Sequence, residues 1–236
     1  MAVRVLVTDL DGTLLGGTDF ERGLLRAVLA RHPEIAVVFA TGRGLTSVRE
    51  VLRDPLVPRP RWVIADVGAT VAGGTGLRPV ADLQAGLRAG WPGAARVRHA
   101  LSRFPALIFQ ADVVQDGRCS FYLRPENLTD ELRAAVAALG CSWAYSADRF
   151  LDVLPARASK GAAVQALARA QGWAPSDLLV AGDSLNDLSM YGIGAHGVVV
   201  GDAEPALLRA VAADARVYSA PRAGAAGILA ALRNLG

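Results

Sequence analysis

Short apolar runs punctuate the first third of the chain, and polar or glycine-bearing turns follow them. Val3 to Val7 leads into Asp9-Leu10-Asp11-Gly12-Thr13, Ile35 to Ala40 leads into Thr41-Gly42-Arg43, and Trp62 to Ala65 forms a third run. Runs of this length, rich in Val and Ile, read as buried strands. Helical signals lie between them. Thr18 with Glu21 three residues on is a capping-box start, and Leu24, Leu25, Val28 and Leu29 make a stripe behind it. A second helix is expected around Thr46 to Leu52, ended by Pro55, Pro58 and Pro60. The alternation returns late in the chain. It comprises a helix from Lys160 through Ala170, a strand at Leu178 to Ala181, a helix at Leu185 to Tyr191, a strand at Gly197 to Val200, and helices from Glu204 and Gly224. Strand and helix in turn predict a parallel sheet with helices on both faces.

The middle of the chain breaks this rhythm. Gly73-Gly74-Thr75-Gly76 signals a turn. After it come helical stretches at Leu83 to Ala89, Ala94 to Ser102 and Asp130 to Leu139. Strand-like segments stand at Leu107 to Ala111, Ser120 to Leu123, Ser142 to Tyr145 and Phe150 to Leu154. The expected organisation is a doubly wound, Rossmann-like α/β core, residues 1–75 and 155–236, with an inserted α+β cap, residues 76–154. The first strand and the strand ending at Gly182 then become neighbours at the topological switch point, where ligands bind in such sheets. Trp91, Tyr122 and Trp143 in the insert either line a substrate surface or pack its core.

The turns carry the chemistry. Two carboxylates one residue apart, Asp9 and Asp11, suit phosphoryl transfer: one attacks phosphorus, the other works as general acid and base. Gly12 permits close backbone approach and Thr13 can orient a carboxylate. Gly182-Asp183-Ser184-Leu185-Asn186-Asp187 brings more oxygen ligands to a second strand end, as magnesium requires. Thr41, the Gly42 amide and Arg43 can hold phosphate oxygens. Ordinary turn and N-cap chemistry would use some of these residues too, but not the whole set.

Composition sharpens one residue. Of 25 basic residues, Lys160 is the only lysine; the rest are arginine. A lone compact ammonium amid that bias marks a place where a planar guanidinium will not do. The net charge of +3 is mild and the arginines are scattered, so no nucleic-acid module is expected. The apolar runs are too short for a membrane span. The first strand follows Met1 so closely that no secretory leader is expected. Two cysteines, Cys119 and Cys141, make no disulfide framework, which fits a reducing cytoplasm. No oligomeric state follows, and a monomer is compatible with the sequence.

These elements, in this order, resemble the haloacid dehalogenase-like phosphatases, and more closely their sucrose-phosphate phosphatase branch. Further segments carry that closer likeness: Ala40 to Arg43, Val67-Gly68, Asp152 to Pro155 running on to Lys160-Gly161, and Glu204 to Leu208. The resemblance implies Asp9 as nucleophile, Asp11 as acid/base, and Thr41 and Lys160 on the phosphoryl group. It implies magnesium on Asp9, Asp183 and the Asp11 carbonyl, with Asp187 serving either Lys160 or a metal-bound water. Gly42, Arg43, Arg157 and Asn186 are candidate substrate contacts. The expected activity is magnesium-dependent hydrolysis of a phosphorylated sugar or disaccharide. A phosphomutase and a non-catalytic phosphosugar-binding regulator remain alternatives on the same core.

Overall fold

A computed structural model describes residues 3–235. Its larger sheet is built from β1 (Val5–Thr8), β2 (Ala36–Ala40), β3 (Trp62–Ala65), β4 (Thr70–Gly73), β5 (Arg78–Pro79), and, after the insert, β10 (Leu178–Gly182), β11 (His196–Val199) and β12 (Val217–Ser219). The order across the sheet is β12-β11-β10-β1-β2-β3-β4-β5. Strands β12 through β3 run parallel, and β4 and β5 are antiparallel additions at one edge. β1 pairs with β10 on one side and β2 on the other, so the switch point lies beside β1.

Alternation along β1 builds two cores. Leu6 faces a cluster with Phe39, Leu179 and helices α1 (Asp19–Arg31), α2 (Leu45–Val51) and α9 (Gly224–Leu235). Val5 and Val7 face the other side, against α3 (Ala81–Leu87), α6 (Lys160–Gln171), α7 (Leu188–Tyr191) and α8 (Pro205–Val211). A strand buried on both faces reads as a continuous apolar run, as β1 and β10 do. The start of α1 is fixed as expected: the Thr18 hydroxyl accepts from the Glu21 amide while Glu21 reaches back to the Thr18 amide.

The insert forms a second, four-stranded antiparallel sheet: β6 (Ile108–Phe109), β7 (Cys119–Tyr122), β8 (Cys141–Ser146) and β9 (Phe150–Pro155), in the order β6-β7-β9-β8. One face carries Cys119, Phe121, Leu151 and Val153 and packs on α4 (Ala94–Ala100) and α5 (Asp130–Ala138). The opposite face carries Arg118, Ser120, Phe150 and Asp152. Period-two alternation thus separates an apolar face from a polar one.

Two boundaries differ from the sequence expectation. The insert was expected from residue 76, but β5 belongs to the large sheet and α3 packs on it through Leu83 and Leu87. Leu83 and Leu87, four residues apart, lie on one face of the helix and reach the core of the large sheet. The expected helix from Leu185 begins only at Leu188, because Leu185–Asp187 form a tighter turn closed by the Asp187 side chain.

The turn between β3 and β4 is the most unusual piece of backbone. Asp66, Val67 and Gly68 have φ of 52°, 53° and 104°. Left-handed conformation at two non-glycine residues needs external support. The Asp66 amide donates to the Arg43 carbonyl and the Val67 amide to the Thr41 carbonyl. A Cβ on Gly68 would lie 2.1 Å from the Ser159 carbonyl oxygen. Gly68→Ala is therefore expected to destabilise the fold by more than about 2 kcal/mol, read from a denaturation midpoint. An unchanged midpoint would show that the contact relaxes freely.

Candidate active site

Three strand ends and one helix start meet at the switch point. Asp9 follows β1, Thr41 follows β2, Asp183 follows β10, and Lys160 opens α6. Lys160 is fully buried. Its Nζ donates to Asp9 Oδ1 at 2.6 Å and to Asp187 Oδ1 at 2.5 Å. The other Asp187 oxygen accepts from the Asp183 and Ser184 amides at 3.0 and 3.1 Å. Asp183 accepts from the Thr13 hydroxyl at 2.6 Å. Gly12 approaches it so closely that a Cβ there would sit 2.5 Å from its Oδ2, and Gly12 has φ of 76°. Only glycine meets both demands.

Carboxylate oxygens of Asp9, Asp183 and Asp187 lie within 4.8 Å of one another. Burial pushes the Asp9 carboxyl well above its ordinary range, against the pull of Lys160. Burial, with the charge of Asp187 adding to it, pushes Asp183 up to about 7, against the Thr13 hydrogen bond. Burial also opposes charge on Lys160, but Asp187 and Asp9 outweigh it and hold the amine above the usual lysine range. Three acids thus share one ammonium, a donor set short of positive charge and suited to a divalent cation. Asp187 fits the lysine-holding alternative better than the metal one, since both its oxygens are already engaged.

The folded chain holds a proton on Asp183 that the unfolded chain releases. Its contribution is therefore complete below the unfolded value of 3.8 and is lost as pH rises through about 7. In chelator, thermal stability is expected to fall between about pH 5 and about pH 8, and added magnesium should raise it more at the upper end. A magnesium shift in melting temperature that is larger at low pH would contradict this.

Above the acids lies a cavity of about 880 Å³ between the two sheets. Asp9, Asp11, Gly42, Arg43, Asp183 and Asn186 line it. Thr41 sits fully buried just beneath, its hydroxyl accepting from the Arg43 amide at 3.1 Å. Arg43 donates to both oxygens of Asp11, at 2.8 and 2.6 Å, and to Ser47 at 2.9 Å. Arg157 does not join them. It is exposed on the turn before α6, outside the cavity lining, because the buried positions of that turn are taken by Pro155 and Ala158.

The sucrose-6F-phosphate phosphohydrolase profile matches residues 2–236. The chain belongs to this family. Within and around the family, it is 44% identical over 236 residues to a glucosylglycerol-phosphate synthase from Pseudomonas anguilliseptica, covering 98% of this chain and 31% of that protein. It is 28% identical to a mannosylfructose-phosphate phosphatase from Agrobacterium fabrum, covering 99% of this chain and 97% of the relative. It is 32% identical to sucrose-phosphatase 1 of Nicotiana tabacum, covering 97% and 58%. The chain therefore spans under a third of the Pseudomonas relative and little more than half of the tobacco one. The solved sucrose-phosphatase from Synechocystis sp. PCC6803, in complex with sucrose and phosphate, superposes with a TM-score of 0.89 at 27% identity, covering 100% of this chain and 98% of that one.

Several residues around the site were given no individual role in the sequence reading. Arg118 donates to Asp152 at 2.9 Å and lies 3.4 Å from Asp66, all three buried in the roof and wall of the cavity. Ser120 adds a 2.5 Å bond to Asp152. The period-two polar positions of β7 and β9 were the available signal. Glu204 was quoted as a helix start and within a segment of the likeness, without a role of its own. Its carboxylate accepts from Ala147 at the β8–β9 hairpin tip and from Leu185 in the Asp183 loop, at 3.1 and 2.8 Å. Conversely, Trp91, Tyr122 and Trp143 are absent from the cavity lining; Trp91 and Tyr145 pack against the cap core, and Phe150 is the aromatic that faces the substrate space.

Proposed function

We propose that the chain is a magnesium-dependent phosphatase acting on a phosphorylated disaccharide or glycosyl polyol through a covalent aspartyl phosphate. The observation that supports this most is the placement of Asp9. A carboxylate held 2.6 Å from the chain's single lysine forms the floor of a cavity of disaccharide size. Two relatives are named as phosphatases of sugar phosphates, which supports the reaction; the third is named for making glucosylglycerol phosphate, which bears on the sugar class alone.

Asp9 and Asp183 would hold the cation, together with the Asp11 carbonyl. Bound there, magnesium offsets repulsion between a carboxylate and a phosphate dianion. Asp9 attacks phosphorus in line as the bond to the sugar oxygen breaks. Lys160, the Thr41 hydroxyl and the Gly42 amide stabilise charge on the remaining phosphoryl oxygens. Asp11 gives a proton to the leaving oxygen, then takes one from the water that cleaves the aspartyl phosphate. One carboxylate oxygen can serve in this way while the other keeps its hydrogen bond to Arg43. Asn186 offers an amide to the sugar.

The test is phosphate release from sucrose 6F-phosphate, mannosylfructose phosphate and glucosylglycerol phosphate, with magnesium and with chelator. Release from at least one, abolished by chelator, is expected. Isomerisation without release would establish a mutase, and a nucleotide as best substrate would overturn the sugar assignment.

A further inference from the structure

The walls of the cavity, away from Asp9, Asp11 and Asp183, carry six more acids: Glu50, Asp66, Asp112, Asp116, Asp152 and Glu204. Two cations face them, and both are spent. Arg43 is bidentate on Asp11, and Arg118 is held between Asp152 and Asp66. Arg88, just behind the wall, is taken by Asp116, the Ala69 carbonyl and Thr70. Asp112, Asp116 and Glu50 are exposed and screened by salt; Asp66 and Asp152 are buried and are not.

One polar atom of the lining lacks a partner: Asn186 Oδ1 is buried without a hydrogen bond. A buried polar group left unpaired is costly, so a ligand that satisfies it is favoured. This atom accepts; a hydroxyl can donate to it, whereas an ionised carboxylate can only accept.

We infer that the cavity selects the uncharged end of its substrate: a phosphate ester whose glycosyl or polyol part carries hydroxyls only, with a second anionic group rejected. The phosphate itself is met by Lys160, whereas a carboxylate or second phosphate in the upper cavity meets Asp66 and Asp152 with no free cation. Bringing like charges together in this way is costly, so discrimination of at least about 30-fold is expected. This rests on the phosphoester site proposed above.

The experiment compares two ligands of nearly equal shape: glucosylglycerol phosphate, and the same ester with its free CH2OH oxidised to a carboxylate. Binding to Asp9→Asn protein with magnesium is measured by calorimetry, which needs no turnover. The neutral ester should bind at least about 30-fold more tightly, and Asp152→Asn in the same background should shrink that ratio by about tenfold. A merely structural role for Asp152 would weaken both ligands alike and leave the ratio unmoved. Equal affinities, tighter binding of the carboxylate, no binding of either ester, or an unmoved ratio would each overturn the inference. Wild-type turnover of p-nitrophenyl phosphate is the separate control: its absence would count against the phosphatase assignment, while the binding ratio stays readable.

Discussion

Asp9→Asn protein is expected to release phosphate at least about 10⁴-fold more slowly than the wild type, the scale on which loss of a covalent nucleophile is felt. The amide matches the carboxylate in shape but cannot form the acyl phosphate. The fold should persist, because Lys160 keeps Asp187 at 2.5 Å and the buried pair survives. The change also removes a charge that burial disfavours. Single-turnover phosphate release and a thermal melt together make the check. Activity within tenfold of wild type would remove Asp9 from the reaction.

Lys160→Arg should cost about 100- to 1000-fold in kcat, the usual effect of losing one preorganised donor to a developing charge. The positive charge is kept, so the loss would come from shape. Nζ sits between two carboxylates in a fully buried space, and a planar fork there must displace one of them. Lys160→Met goes further. It leaves Asp9 and Asp187 buried without their cation, and a loss of about 3–5 kcal/mol in folding stability is expected. Chemical denaturation reads the second effect and steady-state kinetics the first. A fully active Lys160→Arg enzyme would show that charge alone suffices.

The residues brought together at the floor of the candidate site were legible because each ends a local pattern. Asp9, Thr41 and Asp183 each follow an apolar run, and Lys160 stands out against a chain otherwise served by arginine. Parallel order around β1 followed from the same alternation. The roof was much harder to read. Arg118 and Asp152 are 34 residues apart and meet only through β7–β9 pairing, and in an arginine-rich chain one more arginine looks like surface. β5 and β12 are two and three residues long, too short for a periodic signal. α3 was assigned to the cap because it follows the glycine-rich turn; its placement is decided by Leu83 and Leu87 meeting the large sheet. Arg157, named as a candidate substrate contact, stands three residues before the buried Lys160 and is exposed. Three residues along a turn can nevertheless point one side chain into the core and another into water.

The lone buried lysine also makes the protein its own strain gauge. Within these 236 residues, a protease that cuts only after lysine has one bond to sever, Lys160–Gly161. Both residues are buried in the first turn of α6. The native chain is sheltered, and each cut records an event in which the floor of the cavity itself has come apart. The cleavage rate should therefore track the opening of this one helix turn rather than fraying elsewhere. Any ligand that grips Asp9 and Lys160 together should slow it in proportion to how firmly it holds.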